Sequence, residues 1–187
     1  MMKRIFDLFF AVLLLLIILI PVVIISIMVK LTSKGPVLYW SDRVGINNSI
    51  FKMPKFRTMQ TNTPAVATHL LTNPEKYVTS AGRWLRKTSL DELPQIFSVI
   101  KGDMSFVGPR PALFNQDDLV ALRTSKGVHT LIPGITGWAQ INGRDELPIP
   151  VKVDYDYYYL QNRSFLFDLK ILAKTVINVL FGKGVQH

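Results

Sequence analysis

Hydrophobic residues are concentrated near the start of the chain, where residues 5–29 are almost unbroken in apolar side chains. As one straight helix this segment would extend about 37 Å, which exceeds the roughly 30 Å hydrocarbon core of a bilayer. Pro21 interrupts it, because proline cannot donate the helical hydrogen bond to the carbonyl of Ile17. The pattern therefore predicts two helical arms of about 24 and 12 Å joined at a break, and neither arm alone crosses a bilayer.

Basic residues flank this apolar segment at both ends, with Lys3 and Arg4 before it and Lys30 and Lys34 after it. The positive-inside rule draws both ends toward the cytoplasm. We therefore expect a re-entrant helix-break-helix that enters one leaflet and returns, with a single membrane-spanning helix as the alternative. A cleaved signal peptide is disfavoured, because the apolar run is too long and no small-x-small cleavage site follows it.

Shorter periodic segments predict a mixture of helices and small strands in the rest of the chain. Residues 36–59 carry short apolar and aromatic runs broken by Gly45 and two asparagines, a pattern typical of strands and turns. Residues 60–79 are rich in Thr, Asn and Pro, which predicts a surface loop with at most a short helix and His69 as a solvated residue. Helical periodicity is found in four later segments, at residues 81–87, 93–100, 154–161 and 165–181.

The predicted architecture is thus α+β and mostly helical, in two parts. Residues 1–34 form a membrane-embedded re-entrant helix, and residues 35–187 form a cytosolic domain with amphipathic helices at the membrane interface. The tyrosines between residues 155 and 159 would form an aromatic belt there. Asp168, near the start of the last helix, is expected to be either a first-turn charge on the helix dipole or a buried partner for an arginine.

Composition narrows the class of partner without selecting one. The net charge of +9 suits a nucleic acid, an anionic membrane surface or a phosphorylated substrate. The chain has no cysteine, which excludes a disulfide, a thiolate zinc site and a cysteine nucleophile.

The adjacent carboxylates of Asp91 and Glu92 are the strongest candidates for catalysis, since three basic residues precede them within residues 83–87. A carboxylate can attack an electrophilic phosphorus and form a covalent intermediate. It then needs a divalent metal or nearby arginines to offset its repulsion from the phosphate. The alternative is structural: Ser89 would cap a helix and Glu92, three residues on, would close a capping box.

Two further basic segments are candidates for phosphate binding. Bulky and basic side chains, including Lys55 and Arg57, alternate over residues 51–59, which suits either an interfacial strand facing lipid headgroups or a substrate phosphate. Arg110 lies between Pro109 and Pro111, which fix the backbone on both sides of it. An arginine held in this way suits bidentate phosphate binding, and an exposed turn is the alternative.

A glycine-rich segment at residues 133–144 carries the hydrogen-bonding side chains of Gln140, Asn142 and Arg144. The glycines allow close approach of the backbone to a nucleotide or phosphate. Neither a P-loop nor a dinucleotide-binding spacing occurs in it. Taken alone, the segment is better explained as a hairpin with glycine turns.

In combination these segments resemble the bacterial sugar transferase family, the monotopic phosphoglycosyl transferases that start lipid-linked glycan assembly. The resemblance covers nearly the whole chain, and several motifs in a fixed order are more specific than any one of them. The chain length is similar to that of the small single-module members. The motifs that carry the resemblance are residues 52–59, 85–95, 101–111 and 133–144.

The resemblance implies transfer of a sugar phosphate, expected to be an N-acetylated hexosamine derivative, from a UDP-sugar to polyprenol phosphate, with Mg²⁺ and release of UMP. It implies that Asp91 is the nucleophile and a magnesium ligand, and that Glu92 is its acid–base partner. It places the enzyme at the cytoplasmic face of the bacterial inner membrane, in contact with membrane lipid, at the first membrane step of capsule, O-antigen or glycoprotein glycan assembly. The residues expected to bind substrate are Lys55, Arg57, Arg86, Arg110, Gln140 and Arg144.

One departure from the family and two rival functions are left open. The break in the family's membrane helix is typically Ser-Pro, whereas this chain has Ile20-Pro21, without a hydroxyl to satisfy the freed carbonyl. The first rival is a UDP-releasing glycosyltransferase that binds its metal through Asp154 and Asp156, which match a short acidic motif. The second is a membrane-anchored nucleic-acid-binding module, suggested only by charge and supported by no recognisable motif, so we expect no nucleic acid partner.

Overall fold

The structure, a computed structural model, describes residues 2–64, 73–143 and 147–181. Its first element is a single helix, α1 (Met2–Thr32), which contains Pro21. The expected break is therefore wrong at the level of secondary structure, because the helix continues through the proline. Proline removes only one hydrogen bond, and the buried side chains of Ile18 and Ile25 pack against the rest of the protein on either side of it. Helix α1 has the length and hydropathy to cross a membrane.

One face of α1 is part of the core of the protein. Its buried residues recur at intervals of four and seven positions, which places them along one side of the helix. Large apolar side chains cover most of the remaining surface and are exposed. An apolar face of this size needs a covering that residues 2–64, 73–143 and 147–181 do not supply, and a lipid environment fits it. The buried residues of α1 are Asp7, Ala11, Ile18, Ile25 and Val29.

The strands predicted within residues 36–59 are confirmed as an antiparallel hairpin of β1 (Leu38–Val44) and β2 (Ile50–Phe56). Phe51 and Met53 of β2 pack in one cluster with Ala11 and Ile18 of α1. Because side chains alternate along a strand, Lys55 lies on the same face as these two residues. The hairpin thus directs Lys55 toward the interior of the protein.

Two helices flank a tight turn in the middle of the chain. Helix α2 (Ser80–Thr88) is capped by the hydroxyl of Thr79, which accepts a hydrogen bond from the Gly82 amide at 2.9 Å. A 3₁₀ helix (Leu90–Gln95) leads directly into α3 (Ile96–Lys101). Helix α3 ends at Gly102, where φ is +103° and glycine is favoured.

The last part of the chain combines a small parallel sheet with four helices. Strand β3 (Ser105–Val107) pairs in parallel with β4 (Gly134–Thr136), and α4 (Asp117–Ser125) lies between them in sequence. The predicted hairpin at residues 133–144 is therefore wrong, since β4 pairs with an earlier strand and leads into α5 (Trp138–Ile141). Helices α6 (Ile149–Asn162) and α7 (Phe165–Leu180) confirm the two C-terminal helices. The fold is α+β and mostly helical, as predicted.

Candidate active site

The two carboxylates lie in the 3₁₀ helix between α2 and α3, immediately after a left-handed residue. Ser89 has φ +55° and ψ +17°, and its hydroxyl makes no capping hydrogen bond. The capping box is therefore not formed, because a cap residue of that type has an extended backbone. The left-handed conformation of Ser89 instead ends α2, and Asp91 and Glu92 belong to the separate 3₁₀ helix that follows. Their placement has no helix-capping explanation.

Glu92 is held by two cations. Its Oε1 accepts a hydrogen bond from Nζ of Lys55 at 2.7 Å and another from Nη2 of Arg110 at 2.9 Å. Burial alone would raise the pKa of Glu92, but the adjacent guanidinium and ammonium groups outweigh burial and hold that pKa well below its usual range. Glu92 is thus an ionised carboxylate that fixes two basic side chains, one from β2 and one from the loop after β3.

Asp91 is less exposed to solvent than Glu92, but no described cation is hydrogen-bonded to it. Its exposed fraction is 9%, and no side chain in the described part of the protein donates a hydrogen bond to its carboxylate. Burial raises the pKa of Asp91 above its ordinary value of 3.8, while the charges of Lys55 and Arg86 oppose that effect. A poorly solvated carboxylate of raised basicity, without a side-chain hydrogen-bond donor among the described residues, is suited to nucleophilic attack or to metal binding.

Arg86 lies near the carboxylates, whereas Arg57 lies at the end of α1. Arg86 lies near Asp91 and donates from Nε to the Thr58 hydroxyl at 3.0 Å, so one of its guanidinium nitrogens is fixed. Arg57 lies under the C-terminal end of α1, where its Nη2 donates to the backbone carbonyl and hydroxyl of Ser33. Its Nε and Nη1 are buried without a hydrogen-bond partner among the described residues. Substrate binding by Arg57 stays a prediction, but its observed contacts are with α1.

Arg110 is placed by close packing between two backbone segments. A Cβ atom on Gly134 or on Gly137 would lie 2.1 Å from the backbone of Gly108, so only glycine permits this approach. The Gly108 amide donates to Thr136 and the Gly134 amide donates to Pro109, both at 2.9 Å. The glycines of residues 133–144 therefore serve the backbone that carries Arg110.

Gln140, another predicted site residue, is not hydrogen-bonded to either carboxylate. Gln140 lies on α5, and both polar atoms of its amide are buried without a partner in the described parts of the chain. Its Oε1 lies against Gly137, next to the backbone of Gly108, two positions before Arg110. Arg144 lies outside the residues that the structure describes. The residues that the structure brings together are Lys55, Arg86, Asp91, Glu92 and Arg110.

Asp154 and Asp156 do not form a metal site. Two residues apart on α6, they face opposite sides of the helix. Asp156 is buried and accepts two hydrogen bonds from Arg123, whereas Asp154 is exposed and pairs with Lys126. This geometry removes the observation on which the UDP-releasing alternative rested.

The polar contacts of α1 are not predicted by the sequence pattern. Asp7 is buried and accepts a hydrogen bond from the Phe106 amide at 3.2 Å, and Arg4 donates to the carbonyls that end α3. Lys3 pairs with Asp168, which is a buried partner for a lysine and not for an arginine. A carboxylate at position 7, inside an otherwise apolar helix, was the available signal, since such a group needs a partner.

A magnesium ion suits the donor set at Asp91. Within residues 2–64, 73–143 and 147–181 no three His, Cys, Asp or Glu side chains cluster to form a complete metal site. Magnesium does not require one, because it is commonly bound by one or two carboxylates together with substrate phosphates and water. The Asp91 carboxylate, without a hydrogen-bonded partner among the described side chains, would be the residue to hold such an ion.

Comparison with known proteins places the chain in a family. The model of the bacterial sugar transferase family matches residues 1–182. The uncharacterized sugar transferase EpsL of Bacillus subtilis (strain 168) is 42% identical over 188 residues, covering 100% of this chain and 91% of that protein. The undecaprenyl-phosphate glucose phosphotransferase of Komagataeibacter xylinus is 38% identical, covering 97% of this chain and 36% of that protein.

A third relative, from Aeromonas hydrophila, is a UDP-N-acetylgalactosamine-undecaprenyl-phosphate N-acetylgalactosaminephosphotransferase. It is 36% identical, covering 86% of this chain and 39% of that protein. The chain therefore spans most of EpsL but little more than a third of the other two relatives. Taken together, the family match over almost the whole chain and the identity to EpsL show that the chain belongs to the bacterial sugar transferase family.

Proposed function

We propose that this protein transfers a sugar 1-phosphate from a UDP-sugar to polyprenol phosphate through a covalent intermediate on Asp91. The observation that carries the proposal is the contrast between two adjacent carboxylates. Glu92 is neutralised by Lys55 and Arg110, whereas Asp91 lies near the charges of Lys55 and Arg86 with no hydrogen bond from any described side chain. The arrangement thus offers one carboxylate for attack next to groups that can bind phosphate oxygens.

In the first step, a carboxylate oxygen of Asp91 attacks the β-phosphorus of the donor. A new bond forms between that oxygen and phosphorus, the bond from phosphorus to the bridging oxygen breaks, and UMP leaves with the bonding electrons. Lys55, Arg86 and Arg110 supply positive charge around the transferred phosphate. In the second step, a phosphate oxygen of polyprenol phosphate attacks the same phosphorus, which frees the carboxylate and gives the polyprenyl-diphosphate-sugar.

We assign Glu92 to holding Lys55 and Arg110, in place of the acid–base role that the family resemblance implies. A carboxylate with a lowered pKa and two charged donors on one oxygen is a weak base near neutral pH. The chemistry also creates little need for a proton donor, since UMP leaves as an anion. Glu92 therefore acts by orienting cations toward the donor.

Asp91 would hold Mg²⁺ together with donor phosphate oxygens. When bound, the ion neutralises phosphate charge and lowers the repulsion between the carboxylate and the diphosphate. Asp91 is the better magnesium ligand of the two carboxylates, because Glu92 is already hydrogen-bonded to Lys55 and Arg110.

The proposal that the acceptor is a membrane lipid rests on the position of the 3₁₀ helix (Leu90–Gln95) relative to α1. Leu90 and Leu93, which flank the two carboxylates, pack in one cluster with Ile25 and Val29 of α1. Asp91 therefore lies between two residues that pack against α1, and the opposite side of α1 is exposed and apolar. A phosphate on a membrane-embedded lipid would approach such a site from the bilayer side.

We further propose that both ends of α1 face the cytoplasm at the bacterial inner membrane. Arg4 near the start of α1 binds α3, while Ser33 just after its end binds Arg57 of the same domain. Both ends are thus held by one domain, which supports a re-entrant or interfacial anchor over a simple span. The helix contributes residues to the same clusters as the remainder of the chain, so it is an integral part of the folded unit.

The donor sugar is proposed from the relatives alone. The names of the two phosphotransferases given above indicate glucose and N-acetylgalactosamine as transferred sugars. An N-acetylated hexosamine is our preferred class, and glycan assembly at the membrane is the expected context.

The test is to incubate the detergent-solubilised protein with polyprenol phosphate, Mg²⁺ and a panel of UDP-sugars, and to identify the nucleotide released. We expect UMP and a lipid-linked sugar diphosphate, with turnover lost on adding EDTA and restored by excess Mg²⁺. Release of UDP would instead indicate direct glycosyl transfer. Full turnover in EDTA would remove magnesium from the proposal.

A further inference from the structure

The loop that carries Arg110 is held by hydrogen bonds to its backbone carbonyls. The Pro109 carbonyl accepts from the Gly134 amide at 2.9 Å, and the Ala112 carbonyl accepts from the Val44 amide at 3.0 Å. Between them, the Arg110 carbonyl accepts from a side chain, Nη1 of Arg123, at 2.8 Å. The backbone of the proposed phosphate-binding residue is thus positioned by a second arginine.

Arg123 is itself fixed by Asp156. Its Nε and Nη2 donate to Oδ2 of Asp156 at 3.0 and 2.6 Å, and the two residues are 8% and 1% exposed. Arg123 belongs to α4 and Asp156 to α6, so the three hydrogen bonds connect two helices to the active-site loop. A planar guanidinium can make all three bonds at once, whereas a lysine ammonium could not match this geometry.

Stability alone is a poor explanation for this pair. A buried ion pair gains little net stability over well-packed apolar residues of similar size, because both charges lose their hydration. What an apolar pair would lack is the donor to the Arg110 carbonyl. The position of the Arg110 backbone also sets where its side chain lies, and this side chain donates to Glu92 at 2.9 Å.

We propose that Arg123 and Asp156 are positioning residues, which hold the Arg110 backbone so that its guanidinium stays on Glu92 and faces the donor phosphates. This inference rests on the proposed function for its effect on catalysis. It also gives Asp156 a role unrelated to metal binding.

The decisive variant replaces both members of the pair, Arg123→Met with Asp156→Leu. Removing both charges avoids an unpaired buried ion and keeps the packed volume similar, so the fold should be retained. The Arg110 carbonyl then loses its donor. The conservative variant Asp156→Asn keeps an oxygen acceptor for Arg123, and so it should leave the Arg123 donor to Arg110 in place and retain most activity.

A matched control is a second ion pair beside the same two helices. Lys126, directly after α4, pairs with Asp154 of α6 at the protein surface, without contact to the Arg110 loop. The double change Lys126→Gln with Asp154→Asn removes an ion pair between the end of α4 and α6, and it should leave the kinetics unchanged.

Two measurements test the proposal. In two-step kinetics, we expect kcat/KM for the UDP-sugar to fall by about tenfold or more in the Arg123→Met, Asp156→Leu variant, because small misplacements of a binding group are costly. The value for the lipid acceptor should fall less, whereas a smaller folded fraction would lower both values equally. Hydrogen exchange should also become faster in a peptide spanning residues 106–114, with the melting temperature close to that of the wild type.

The outcomes separate the two proposals. Wild-type protein that releases no UMP overturns the proposed function, and the exchange measurement then still decides whether Arg123 and Asp156 hold the loop. Active wild-type protein combined with unchanged donor kinetics and unchanged exchange in the double variant overturns the positioning role alone. A double variant that fails to fold would show that the pair is needed for stability, which contradicts the proposal.

Discussion

Nη2 of Arg110 lies 2.9 Å from Oε1 of Glu92, a contact that joins residues 18 positions apart in the chain. The same oxygen binds Lys55 of the β-hairpin. Glu92 therefore connects three separate parts of the fold, and its neighbour Asp91 lies near one of the cations that Glu92 binds, Lys55. The proposed catalysis depends on these different roles of two adjacent carboxylates.

Arg110→Lys should reduce kcat/KM for the UDP-sugar by about tenfold or more. Lysine keeps the charge but cannot pair with Glu92 and a phosphate through one rigid fork, and a lost hydrogen bond to a charged group is worth roughly 1.5–3 kcal/mol. Steady-state UMP release measures the effect. Arg83→Lys, an exposed change on α2, serves as the control and should have no effect. Wild-type donor kinetics in Arg110→Lys would return Arg110 to a structural role. We expect the same loss for Arg144→Lys.

Glu92→Gln should slow turnover while still permitting the adduct on Asp91. Glutamine loses the charge that holds Lys55 and Arg110, but it leaves the neighbouring carboxylate unchanged. Rapid mixing with UDP-sugar, followed by intact-protein mass spectrometry, should show slower appearance of the adduct. If Glu92→Gln formed the adduct at the wild-type rate, the assigned role of Glu92 would be wrong.

The effect of Glu92→Gln on the melting temperature should depend on pH. Because the folded-state pKa of Glu92 lies well below its ordinary value of 4.5, its contribution to stability is complete above that pH and is lost as pH falls through the lowered pKa. The difference in melting temperature between wild type and Glu92→Gln should therefore be largest near neutral pH and shrink in acid. Asp42→Asn, which breaks the exposed pair with Lys52, should give a smaller difference throughout. A pH-independent difference for Glu92→Gln would contradict the ion-pair assignment.

Cysteines introduced at Met2 and Lys34 should share one labelling pattern in intact cells. Both positions are exposed at the ends of α1, and both ends are held by the same domain. The chain contains no cysteine of its own, so each variant carries a single label. Glu75→Cys marks the side of the membrane on which the folded domain lies. Labelling of one α1 end from the periplasm would establish a spanning helix.

Adjacent residues of α1 should differ sharply in their effect on stability. Ile25 is 4% exposed and packs against Phe56 and Leu85, whereas Ile24 is 61% exposed. In detergent, Ile25→Ala should lower the free energy of unfolding by about 2–5 kcal/mol, the usual cost of such a cavity. Ile24→Ala should have little effect on thermal melting. Equal destabilisation by the two changes would mean that α1 does not pack on the domain through this face.

Much of the fold follows from local patterns. The apolar run at residues 5–29, the strands within residues 36–59 and the helices α6 and α7 were all predictable, because their periodicity and turn residues agree with their tertiary environment. Pro21 was misleading for the opposite reason. Packing on both sides of the proline preserves a helix that local propensity alone would interrupt.

The misjudged features depend on partners distant in sequence. Ser89 and Glu92 have the spacing of a capping box, but the left-handed backbone at Ser89 is set by how α2 joins the next turn. The glycines of residues 133–144 suggest a hairpin, yet β4 pairs with β3, about 30 positions earlier, and no local signal specifies a parallel pairing. The Arg123–Asp156 pair is invisible in one sequence for the same reason.

The central claim is that Asp91 forms a covalent bond to the transferred sugar phosphate, and one experiment tests it directly. Wild-type protein is mixed briefly with UDP-sugar and Mg²⁺ in the absence of lipid acceptor, and its intact mass is measured beside that of Asp91→Asn. We predict a mass increase equal to the sugar phosphate in wild type, its loss on adding polyprenol phosphate, and no adduct in Asp91→Asn, with both proteins folded by thermal melting. A folded Asp91→Asn enzyme with normal turnover would contradict the account.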